Sequence, residues 1–117
     1  MTDLHQIPFD PELIEGAHNA IRTCLRIKPE EKVTLITDRV SEEIAASLVA
    51  EIRKVGATYQ AFVLEDYAER PLVDMPRPIL DDLESSQVSI FAAQVQHGEL
   101  KTRMQMTDVV NRRLIRS

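Results

Sequence analysis

Residues 31–57, EKVTLITDRVSEEIAASLVAEIRKVGA, decide the fold. Val33 to Thr37 is an unbroken and largely β-branched run, the pattern of a strand covered on both faces. From Ser41 onward the period changes. Ile44, Leu48, Val49, Ile52 and Val55 recur at helical spacing and predict one buried stripe. Ser41 is a capping residue type, Glu42 and Glu43 complement the positive end of the helix dipole, and Gly56 is the expected left-handed terminator. A strand followed by a helix is half of a βαβ unit, and such sheets bind ligands beyond the carboxyl ends of their strands. The connecting turn, Thr37 to Ser41, contains no glycine, so it encodes no backbone cradle for a phosphate.

Upstream, residues 1–9 read as a polar lead-in, and Asp10 and Pro11 signal a helix start. Phe9 is placed to pack on Ile14 as a hydrophobic staple. Leu13, Ile14, Ala17, Ala20, Ile21, Cys24 and Leu25 fall on one helical stripe, and Pro29 stops the helix near Lys28. Gly16 inside this helix implies a close backbone approach.

Downstream, Tyr59 to Leu64 reads as a second strand and Glu65 to Arg77, with Pro71 and Pro76, as an extended surface loop. Pro78 to Leu83 predicts a short helix with Ile79, Leu80 and Leu83 inward, and Val88 to Ala93 a third strand. His97 and Gly98 lead into a last helix whose Leu100, Met104, Thr107, Val110, Leu114 and Ile115 share a face, with Met106 near its edge.

The order α-β-α-β-α-β-α predicts a single α/β domain over residues 1–117: a small Rossmann-like, three-layer domain with a three-stranded parallel sheet. Strand order 2-1-3 is favoured, with 3-2-1 as the alternative. So small a parallel sheet calls for further cover, from a second copy or from more of the same polypeptide.

Composition removes several function classes. Three Phe, two Tyr and no Trp supply no stacking platform for single-stranded nucleic acid, and a net charge of -5 opposes binding to a phosphate backbone. No apolar run reaches the length of a membrane span, and the amino terminus lacks the basic head and apolar core of a secretion signal. One cysteine cannot close an internal disulfide, which points to the cytoplasm.

The candidate site is a crevice at the strand ends, rimmed by Asp38 and Arg39 after the first strand and by Gln94 and His97 after the third. The default account of Asp38 and Arg39 is a polar turn that only solubilises the helix start. The three histidines, His5, His18 and His97, are dispersed, without the converging ligands that zinc requires. His18, at the margin of the first stripe, is expected to be half buried and hydrogen-bonded, and Cys24 to be buried as a small hydrophobe. The acidic pairs Glu42–Glu43, Glu65–Asp66 and Asp81–Asp82 read as caps and solvated faces, and so do the bases Lys101, Arg103, Arg112, Arg113 and Arg116 of the last helix.

Ala17-His18-Asn19, then Cys24-Leu25-Arg26-Ile27-Lys28-Pro29, then Glu31-Lys32-Val33 through Thr37-Asp38, form a pattern. It resembles the amino-terminal domain of leucyl aminopeptidases of the aminopeptidase T type. Gly56-Ala57, Val88-Ser89-Ile90 and the closing helix match more loosely, so the resemblance spans most of residues 13–117. It implies a metal-dependent exopeptidase that removes amino-terminal residues from peptides, commonly as a homodimer. The family's two-metal centre is built from Glu, His, Tyr and Asp residues of a later, carboxy-terminal domain. None of those motifs occurs here, so no catalytic or metal residue carries over and no cofactor is expected in this chain. The chain stops at Leu114-Ile115-Arg116-Ser117 within a helical pattern, which implies the N-terminal portion of a longer protein. A stand-alone small α/β module that binds a ligand or protein, with no enzymatic activity, is the alternative.

Overall fold

The computed structural model describes residues 3–67, 75–93, 104–106 and 109–110. Three parallel strands, β1 (Lys32–Thr37), β2 (Thr58–Val63) and β3 (Val88–Ala92), form one sheet in the order β2-β1-β3. The 2-1-3 arrangement is therefore the observed one. Val33 lies opposite Tyr59 and Val88, and Thr37 opposite Val63 and Ala92, so the three carboxyl ends are level.

The helices are α1 (Leu13–His18), α2 (Glu42–Val55) and α3 (Arg77–Leu83). Val33, Leu35, Val63 and Val88 pack with α2 residues Ala45, Leu48, Val49 and Ile52 and with Ala17 and Ile21. Ile36 and Phe62, pointing the other way, pack with Ile79 and Leu83 of α3 and with Met106 and Val109. The alternation follows from the two-residue period of a strand. Two crossovers of one hand that run in opposite directions along a sheet must lie on opposite faces, as α2 and α3 do. The result is the three-layer, Rossmann-like arrangement.

The first helix departs from expectation at both ends. It begins at Leu13 rather than at Pro11, and Asp10 Oδ1 instead accepts the Glu12 N–H at 2.9 Å in the preceding turn. After His18 the chain widens into a π-helical turn, Asn19–Cys24, in which Leu25 N–H donates to Ala20 O. The wider turn rotates later side chains off the 3.6-residue stripe. Ile21 stays buried, but Cys24 is exposed, not buried. Arg26 then takes a left-handed φ of 51° and ends the helical path before Pro29. Ile14 is 43% exposed, and a Cβ on Gly16 would meet nothing within 4 Å, so no close approach explains that glycine.

Gly56, at φ 88°, terminates α2 as expected. At the other end Ser41 occupies the cap position, but its side chain makes no capping hydrogen bond. Ile44 is 51% exposed, because the inward face of α2 is centred on Ala45, Leu48, Val49 and Ile52, which leaves the first-turn isoleucine outside. The amino-terminal lead-in is not wholly polar in effect: a 3₁₀ turn at Leu4–Gln6 buries Leu4 in the core. The Glu65–Arg77 segment opens with another 3₁₀ turn, Leu64–Asp66, and Met75 near its end is buried. In the last helical segment Met106 is buried and Met104 exposed, the reverse of the expected stripe. Met106, Val109 and Val110 share a helical face that packs under the sheet, about half a turn from Met104. The Lys101, Arg103, Arg112, Arg113 and Arg116 readings lie outside the described residues. Among the described residues no helix is long and apolar enough to cross a membrane.

Candidate functional site

Of the four crevice candidates, Gln94 and His97 lie outside the described residues. Asp38 and Arg39 follow β1 at its carboxyl end, as the sequence places them. Asp38 is buried and turned back on the chain, with Oδ1 accepting the Ser41 N–H at 2.8 Å. Its carboxylate closes the turn that leads into α2, taking the N–H of Ser41 itself and not one of the first-turn amides that a cap at Ser41 would accept. An Asp that hydrogen-bonds backbone further along stabilises a turn at the cost of being less available to a ligand.

Arg39 reaches across to the end of β2. Its backbone N–H donates to Glu65 Oε1 at 3.0 Å, and its Nη2 donates to Asp66 Oδ1 at 2.8 Å. The Arg39 side chain is 54% exposed, whereas the Asp66 side chain is 11% exposed. The two polar turns that follow β1 and β2 are therefore linked, backbone to side chain and side chain to side chain. Tyr67 comes next, its ring centroid 5.7 Å from that of Phe62. Burial raises the Tyr67 phenol above its ordinary range, and the Asp66 and Asp82 carboxylates push in the same direction.

Glu65 and Asp66 were expected to be solvated. The sequence signal that places them is positional: both follow β2 as Asp38 and Arg39 follow β1, and parallel pairing in level register brings those ends together.

A second polar constellation sits beneath α3, on the opposite half of the sheet. Lys32 Nζ donates to Asp82 Oδ1 at 2.6 Å and to Ser85 Oγ at 2.6 Å. Thr34 Oγ1 donates to Asp82 Oδ2 at 2.6 Å, and the Thr34 and Ser86 hydroxyls are hydrogen-bonded to each other. Gln87 closes the seam: its Oε1 accepts the Lys32 N–H at 2.9 Å, while its own N–H donates to Lys32 O at 3.0 Å. Asp82 is thus a half-buried connector rather than part of a solvated face. Thr34 and Ser89 are opposite each other in the β1–β3 register, both fully buried, and Ser89 Oγ has no hydrogen-bond partner among the described residues. Serine and threonine at matching positions of two otherwise apolar strands were the available clue.

The third constellation surrounds Glu51 on α2. His18 is more exposed than expected, and its Nδ1 approaches this buried carboxylate. Arg22 and Lys54 approach the same group. Among the described residues no group of three or more His, Cys, Asp and Glu side chains is placed to hold a metal ion.

Chemically, each carboxylate in these three constellations is opposed by a cation or a backbone donor from a neighbouring element. Such arrangements fix elements relative to one another. No family model, curated protein or solved structure matches the chain.

Proposed function

We propose that this domain is the non-catalytic amino-terminal part of a metal-dependent aminopeptidase-like protein of the cytoplasm. Its parent activity would be the removal of amino-terminal residues from peptides. The single observation that supports the non-catalytic part of the reading is the linkage of Arg39 to Glu65 and Asp66 across the ends of β1 and β2. With Asp38 turned onto the Ser41 N–H, the polar groups at this end brace one another and act as a joint between turns. A rigid domain of this kind contributes to catalysis by positioning substrate and by assembly, while the divalent metal and its ligands belong to a carboxy-terminal domain. Pairing with a second copy or with that domain supplies the further cover that a three-stranded parallel sheet calls for.

The test is direct. Residues 1–117, supplied with zinc or cobalt, are expected to release no amino acid from aminoacyl-amide substrates, and the open reading frame is expected to continue past Ser117 into a Glu-, His- and Asp-bearing segment. Metal-dependent turnover by the isolated chain would overturn the assignment. A stop codon after Ser117 would favour a binding module instead, a reading supported by the exposure of the Arg39 side chain at the strand ends.

A further inference from the structure

We draw no further inference here: the strongest candidate, the exposed apolar pair Val40 and Ile44 at the start of α2 beside the strand ends, carries nothing because nothing in the structure shows what covers it.

Discussion

Glu51 Oε2 lies 3.5 Å from His18 Nδ1, joining the middle of α2 to the end of α1. Arg22 Nε approaches the same oxygen at 3.6 Å, and Lys54 Nζ lies 3.4 Å from Oε1. His18 and Arg22 are four residues apart, so they present to α2 from one side of the first helix. The carboxylate is only 4% exposed, whereas His18, Arg22 and Lys54 are 57%, 41% and 61% exposed. The anion has left water and the three side chains around it have not.

That imbalance predicts an asymmetric response to mutation. Glu51→Met leaves the Arg22 and Lys54 cations in water and replaces a buried charge with a flexible apolar side chain. It should leave stability within about 1 kcal/mol of the parent, or raise it. The double change Arg22→Met and Lys54→Met strands the carboxylate and should cost about 2 kcal/mol, less than a fully buried pair because these cations are screened. Urea unfolding of both variants checks this, and equal losses from the two would contradict the asymmetry.

Asp82 and Thr34 couple α3 to the central strand in a drier setting. Thr34 is fully buried and donates to Asp82 Oδ2, whose partner oxygen takes Lys32. Asp82→Ala leaves the Thr34 hydroxyl without its acceptor and Lys32 without its counter-ion. We expect a loss of about 2–3 kcal/mol. Thr34→Val keeps the shape and removes the buried donor, so it should cost about 1 kcal/mol. In a double-mutant cycle the pair should then show coupling of at least about 0.5 kcal/mol. Additive losses would mean that the hydrogen bond contributes little to holding α3.

The strand-helix-strand framework was legible in residues 31–57 because burial on both faces and the helical period leave little freedom there. The strand order was half legible: two orders satisfied the connection rules, and the structure realises the one that spreads α2 and α3 over opposite faces. Cys24 was misplaced because a π-helical turn leaves no mark in an apolar period. Met104 and Met106 were exchanged because a short segment permits more than one apolar stripe, and only packing against Met75 and Phe91 selects between them. At the strand ends, the place of Asp38 and Arg39 just after β1 was legible from position alone. The Arg39 partners Glu65 and Asp66 required the register of β1 against β2, which no local pattern states.

Backbone conformation gives a third test. At Gly16 a Cβ meets nothing within 4 Å in a helical backbone, so Gly16→Ala should stabilise by about 0.5–1 kcal/mol. At Gly56, with φ 88°, the same substitution should destabilise by about 1 kcal/mol even though the space is equally open. Arg26 already carries a left-handed φ of 51°. Arg26→Gly should therefore be nearly neutral, since relief of strain offsets the added freedom of the unfolded chain, while Arg26→Val should cost more than about 1 kcal/mol. Thermal denaturation of the four variants provides the ranking, and a destabilised Gly16→Ala would show that a neighbour packs within reach of a Cβ at this position.

Tyr67 predicts how the fold responds to alkali. Burial, with Asp66 and Asp82 adding to it, raises its phenol above the ordinary value of 10.0. Below pH 10 both folded and unfolded chains hold this proton, and the group contributes no slope. Above pH 10 the unfolded chain releases it first, so the unfolded state binds fewer protons and stability falls with rising pH until the folded phenol also ionises. Tyr67→Phe removes that contribution while keeping the ring available to Phe62. Urea midpoints measured from pH 8 to pH 11 should therefore converge: the parent loses stability above pH 10 more steeply than Tyr67→Phe. Parallel curves for the two proteins would show that Tyr67 titrates alike in both states and that the turn after β2 is open to water.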